Sequence, residues 1–265
     1  MAIRMPAEHG AWGMLIFPYL SAAIIAGFWD MPVLLCGALA LGLFVLRGSV
    51  EQQGGWRALR QPEHLVMALA LAALAGALVL YYGRTQLLGV AAAGGILYVI
   101  QEMQVRKHNE ARTEKRSLAA ELVGVVLLSL AAPAAWIAVR GKLDWTGVQV
   151  WLLNAMFFLG GVLYVKYRVR GLLAHREFSS WQERLSFAWP VILYHLLLLA
   201  FLAACIFLRE ITAAVLLAFA PGILRANGLV LQLGEKFPIK RLGWMEVAHA
   251  VVFAGLLVVA YRFVS

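Results

Sequence analysis

Residues 187–208 read FAWPVILYHLLLLAFLAACIFL. No Asp, Glu, Lys or Arg interrupts them, and a helix needs roughly 20 such residues to cross a hydrocarbon core. Comparable runs recur on both sides. The sequence predicts further spans at about 12–28, 32–47, 65–82, 86–103, 117–139, 147–166, 211–226 and 245–263. The fold class expected is therefore all-α: a polytopic membrane helix bundle of about nine transmembrane helices, with 1–265 forming a single integral membrane domain. Span 2 is short, and spans 7 and 8 are separated only by Arg209-Glu210-Ile211-Thr212. A tilted or re-entrant pair is the alternative there.

Composition agrees with a lipid solvent. Of the 265 residues, 63% are hydrophobic and 14% charged, and the mean hydropathy is +0.80. Soluble domains carry nearer a quarter charged residues. Cys36 and Cys205 both sit in apolar runs without a CxxC or His-rich neighbour, so they read as small buried hydrophobes. The formal net charge of +9 follows from cytoplasmic Lys and Arg and implies no nucleic-acid partner. Met14 to Gly27 offers no convincing small-x-small cleavage site before the next span, so the first apolar segment reads as a retained helix.

Loop lengths alternate. The connections after spans 1, 3, 5 and 7 are tight, whereas those after spans 2, 4, 6 and 8 are longer and basic. All Lys and Arg except Arg84, Arg140, Lys142, Arg209 and Arg262 fall on the long-loop side. The positive-inside rule then puts the N-terminus and long loops in the cytoplasm and the C-terminus outside.

Ionisable groups at membrane depth are costly and mark candidate sites. Span 1 opens with Pro6-Ala7-Glu8-His9-Gly10-Ala11-Trp12, where Glu8 and His9 are acid–base candidates at the membrane surface. Glu121 lies one turn inside span 5; its alternative is a salt bridge to an Arg of another span. Arg47 and Glu51 are four apart at the end of span 2 and can pair on one helical face. In the run from Tyr164 to Arg170, Lys166 and Arg170 share a face with Arg168 turned away, which suits either an anion site or simple anchoring. Glu246 and His249 stand at i, i+3 in span 9, half of a di-iron pattern whose other half is missing. His195 and His249 could also form a bis-His haem site. No metal set, Walker loop, HExxH, GxSxG or GxGxxG occurs, and no cofactor is specified.

The stretch PAEHGAWGMLIFP, residues 6–18, is similar to the start of the bacterial YwiC-like membrane proteins, an uncharacterised family. That likeness implies a multi-pass protein of the bacterial cytoplasmic (inner) membrane. More distantly, EKRSLAAELVGVVLLSLAAPAAW, residues 114–136, resembles the UbiA superfamily of intramembrane prenyltransferases, with Glu121, Gly124 and Pro133 at matching places. The resemblance implies a UbiA-like arrangement, with an active site opening toward the cytoplasm. This chain departs from it, because those enzymes hold Mg²⁺ on Asp-rich motifs ending spans 2 and 6. Here the only Asp residues are Asp30 and Asp144, both on the expected outer face, and basic residues stand at the motif positions.

Three readings of function follow. The first is an intramembrane transferase or binder of an anionic lipid or isoprenoid-like ligand, working without the usual Mg–Asp route. Arg47, Lys166 and Arg170 would hold the anionic end, and Glu8, His9 or Glu121 would act as acid or base. Lys166 and Arg170 are expected to line a cytoplasm-facing cavity with Glu8 and Glu121. The second is a transporter of a small anionic solute, which predicts interrupted helices. The third is a membrane assembly factor without enzymatic activity. Membrane lipid is the surrounding partner in all three.

Overall fold

The computed structural model describes residues 5–6, 9–27, 29–53, 55–110, 118–173, 178, 180–233 and 238–264. Every regular element among them is helical. The chain divides into two compact units, Met1–Leu152 and Leu153–Ser265.

The first unit contains α1 (His9–Ala26), α2 (Met31–Gln52), α3 (Pro62–Gly76), α4 (Leu87–Glu110), α5 (Leu118–Ser129) and α6 (Ala131–Arg140). Helix α7 (Trp145–Leu173) carries the chain into the second unit. There follow α8 (Trp181–Phe207), α9 (Val215–Asn227), the single turn α10 (Leu229–Gln232) and α11 (Ile239–Phe263). Among the described residues, eight helical segments are long and apolar enough to cross a membrane, and Gly10–Ala26 is a shorter apolar helix. The chain is a multi-pass membrane protein.

Most helices outrun their apolar stretches. Span 2, expected at 32–47, continues as helix to Gln52, and span 6, expected at 147–166, runs from Trp145 to Leu173. The apolar run records the thickness of the hydrocarbon. The backbone gains by keeping its own hydrogen bonds a turn or more into the interface. Large exposed Trp residues mark that interface at helix ends: Trp29, Trp145, Trp181 and Trp244.

Local chemistry sets several boundaries. Pro32 and Pro62 sit in the first turns of α2 and α3, where a missing N–H costs nothing. Ser180 caps α8, its hydroxyl accepting from the Glu183 amide at 3.2 Å. Helix α6 ends on Gly141, which is in the left-handed region at φ 79° and donates its amide to the Ile137 carbonyl at 2.8 Å. Arg84 then caps the same end, Nε donating to the Ala138 carbonyl at 3.0 Å. The span expected at 117–139 is broken at Leu130, just before Pro133. The span expected at 211–226 stops at Asn227 and resumes as α10 after Gly228.

Within the first unit α1 packs chiefly on α6. Both bury small residues, Ala22, Ala23 and Ala26 on one and Ala131, Ala132, Ala135 and Ala138 on the other. Lipid gives helices no hydrophobic reason to associate, so close backbone approach across small residues is what holds such pairs. In the second unit α9 packs against α8 and α11, and α10 closes on α8 and α9.

Candidate functional site

The second unit concentrates its polar groups on facing helix stripes. Along α7, Gly160, Tyr164 and Arg168 recur at i, i+4 and share one face. Tyr164 and Arg168 are each only 2% exposed. The Tyr164 hydroxyl donates to Gln232 Oε1 at 2.7 Å, and Arg168 Nη1 donates to the backbone carbonyl of the same residue. Arg168 is thus the buried cation of the run, while Lys166 and Arg170 are half-buried. The guanidinium of Arg170 lies 5.7 Å from the Tyr167 ring centroid.

Helix α9 places Arg225 in its last turn, where the helix dipole favours a cation. Its side chain is 8% exposed and forks onto Glu246 of α11, with Nη1 on Oε1 and Nη2 on Oε2 at 3.2 Å. The guanidinium carbon also sits 4.2 Å from the Tyr164 ring centroid. A buried fork of this kind, stacked on an aromatic face, is geometry that Arg supplies and Lys does not. His249, one turn beyond Glu246, donates Nδ1–H to the Met245 carbonyl at 2.7 Å. Its 3.5 Å approach to Arg225 Nη1 therefore sets two donors side by side and forms no hydrogen bond.

His195 stands about midway along α8 and is 5% exposed. Its Nδ1 lies 2.8 Å from the Val191 carbonyl, which can only accept, so Nδ1 carries the proton. In the neutral ring Nε2 is then an acceptor. It points at α7 where Gly160 has no side chain: a Cβ built there would lie 3.1 Å from Nε2. The next residue, Gly161, gives the same clearance to Glu246, 3.2 Å from its Oε2. The glycine pair makes room for both groups.

His195, Arg225 and both glycines line one pocket, whose apolar wall includes Phe157 and Phe219. Phe157 stacks on Phe253 with centroids 4.0 Å apart, and Phe219 meets Phe253 edge-on at 5.1 Å. The pocket holds about one water molecule. Arg225 Nε is buried and has no hydrogen-bond partner among the described residues. Such a donor is costly in a dry interior unless something occupies the space beside it.

The first unit carries a separate polar chain. Arg47 Nε pairs with Glu51 Oε1 at 2.7 Å, as their spacing predicts. Arg47 Nη2 also donates to Gln101 Oε1 at 2.8 Å, and Gln101 Nε2 donates to the Ala120 carbonyl at 3.1 Å. Arg47 further lies 4.8 Å over the Tyr98 ring. These contacts tie α2, α4 and α5 together and leave Glu121 half-buried in the turn that begins α5. Nearby, Ser49 and His64 are fully buried and bonded at 2.9 Å between Oγ and Nε2.

Of the residues singled out in the sequence, Glu246 and His249 meet in one site, and Arg47 and Glu51 meet in another. Glu8 and the side chain of His9 lie outside the described residues. Lys166 and Arg170 belong to the second unit, Arg47 and Glu121 to the first. Sequence reasoning missed Arg225, Arg168, Tyr164 and Gln232. The available signal was the Gly160–Tyr164–Arg168 stripe, which marks a face of α7 turned toward polar neighbours. Among the described residues no group of three or more His, Cys, Asp or Glu could hold a metal ion.

Comparison with known proteins adds a family. Residues 5–136 match the family model described as YwiC-like protein. The chain is 27% identical over 261 residues to the uncharacterized protein YwiC of Bacillus subtilis, covering 97% of this chain and 98% of that relative. It is 25% identical over 268 residues to an uncharacterized protein of Haemophilus influenzae, covering 98% of this chain and 99% of the relative. No solved structure matches significantly, so the prenyltransferase resemblance gains no support from that comparison.

Proposed function

We propose that this chain, which belongs to the YwiC-like family through its residues 5–136, binds the anionic head of a membrane amphiphile, a lipid or isoprenoid-like molecule, at Arg225 of its second unit. The observation that carries the reading is Arg225, which lines a pocket with aromatic walls and whose buried Nε–H has no hydrogen-bond partner among the described residues. A guanidinium in an apolar wall, its charge matched by Glu246 and one N–H left over, suits an amphiphile whose head accepts a hydrogen bond. The space of about one water is also the space of one phosphate or carboxylate oxygen. Arg225 thereby takes the role that sequence alone gave to Arg47, Lys166 and Arg170. The named relatives come from bacteria, which supports placement in a bacterial cytoplasmic membrane with the long basic loops inside.

The test is thermal unfolding of the detergent-solubilised chain with farnesyl phosphate or farnesol added. Farnesyl phosphate is expected to raise the midpoint and farnesol to do so much less. Arg225→Gln alone would leave Glu246 as an unpaired charge, so the informative variant is Arg225→Gln with Glu246→Gln, which keeps the site neutral. Equal stabilisation of that double variant by farnesyl phosphate would refute the reading.

One observation favours transport as a second reading. Helix α9 passes through a turn at Gly228 and the α5–α6 span through one at Leu130, both with right-handed helical dihedrals, and locally irregular helices accompany solute sites in transporters. Flux of a small anion into proteoliposomes, abolished in the same double variant, would establish transport over static binding.

A further inference from the structure

Residues 53–61 join two helical segments long and apolar enough to cross a membrane, Met31–Gln52 and Pro62–Tyr81, and so lie at a membrane surface. Within them Gly55–Arg60 forms a 3-10 helix. Residues three apart on such a helix eclipse one another, with a rise of about 2 Å per residue. Arg57 and Arg60 therefore share one edge, about 6 Å apart along the axis, and both are exposed. Ala58 lies off that edge and is buried, which seats the turn against α2 and α3. Other basic side chains are committed: Arg47 to Glu51 and Gln101, Arg168 to Gln232 and Arg225 to Glu246. Arg57 and Arg60 make no hydrogen bond or ion pair among the described residues. Just beyond them α3 exposes Leu65, Val66 and Leu69, and Leu65 stands five residues after Arg60, about 8 Å of helix rise. Two cations at the surface with lipid-facing apolar side chains one turn deeper match a molecule with a charged phosphate and acyl chains.

We propose that the Arg57–Arg60 edge binds an anionic phospholipid, its head group against the two guanidiniums and its acyl chains along Leu65, Val66 and Leu69. The site belongs to the first unit and stands independently of Arg225. Charge sets its selectivity. One basic side chain near an anionic lipid surface is worth about fivefold in binding, so two are worth about thirtyfold at low salt. A zwitterionic lipid carries the same phosphate with a compensating ammonium and gains little of this.

Native mass spectrometry of the full-length chain in a neutral detergent measures its affinity for dioleoyl phosphatidylglycerol and for dioleoyl phosphatidylcholine. The wild type should prefer the anionic lipid by about thirtyfold, and Arg57→Gln/Arg60→Gln should bring the two lipids within about threefold. Arg57→Lys/Arg60→Lys keeps both charges and should retain the preference. Arg106→Gln/Arg241→Gln removes the same charge from two exposed residues on other helices and should retain it too. Glycerol phosphate, a head group without chains, should not displace the lipid. No preference in the wild type would overturn the proposal, as would a preference that survives in Arg57→Gln/Arg60→Gln. An equal loss in the lysine variant or in the Arg106/Arg241 control would also overturn it, because charge at this edge would then not be the cause. Displacement by glycerol phosphate would overturn the lipid as partner in favour of a soluble phosphate. Circular dichroism of each variant verifies that the helices have formed.

Discussion

Replacing Glu246 by Gln removes the carboxylate from a guanidinium whose side chain is 8% exposed. Breaking a buried pair by deleting one partner costs about 3–5 kcal/mol, because the survivor is left charged in a poor solvent. Two features lower the figure here. Glu246 is 24% exposed, so the pair is partly wet, and Arg225 keeps its stacking on Tyr164 at 4.2 Å. Stacking of that kind is worth up to about 2 kcal/mol when desolvated. We therefore expect Glu246→Gln to destabilise the second unit by about 2–3 kcal/mol. Arg225→Gln should cost about as much, since it also empties the Tyr164 face. The double variant removes both charges and should lie within about 1 kcal/mol of either single variant, giving a coupling energy of about 2 kcal/mol. The assay is equilibrium unfolding of the full chain in mixed micelles, followed by tryptophan fluorescence. Additive single effects, with coupling near zero, would refute the claim that these groups form a buried pair.

Two further outcomes test other parts of the description. Arg168→Met should destabilise the chain by about 2 kcal/mol by leaving the Gln232 carbonyl without its donor, whereas Arg170→Met, on a half-buried side chain, should cost under about 0.5 kcal/mol; equal melting temperatures of the two variants would contradict the burial pattern of α7. A reporter fused after Ser265 should be active only on the outer side, as alkaline phosphatase is, and activity confined to the cytoplasm would overturn the charge-based orientation.

How much of this was legible in the sequence depends on which force fixes each feature. Residues 187–208 announced a span because hydrocarbon offers no partner for backbone polar groups, and α8 contains nearly all of them. Helix ends were less legible: nothing in the apolar count shows that α2 runs on through Arg47, Gly48 and Glu51. The Arg47–Glu51 pair was readable because four residues along one helix fix their own geometry. Glu246 and His249 were singled out for the same reason, by spacing on one element. Their partner Arg225 was not, because it comes from another helix, and the register between α9 and α11 is set by packing rather than by any local pattern. The face of α7 was misjudged on charge alone. Lys166 and Arg170 are indeed four apart, but Arg168 continues the stripe of Gly160 and Tyr164 and is the one buried.

The adjacent glycines of α7 face two different helices. A single methyl at position 160 presses on the His195 imidazole and the Tyr194 ring of α8, and one at position 161 presses on the carboxylate of α11. Neither change alters a charge or removes a hydrogen-bonding atom. Consecutive residues of a helix point about 100° apart, so each methyl reaches a different neighbour. Alanine at one position and then the other would let the α8 side of this packing and the Arg225–Glu246 pair be disturbed one at a time.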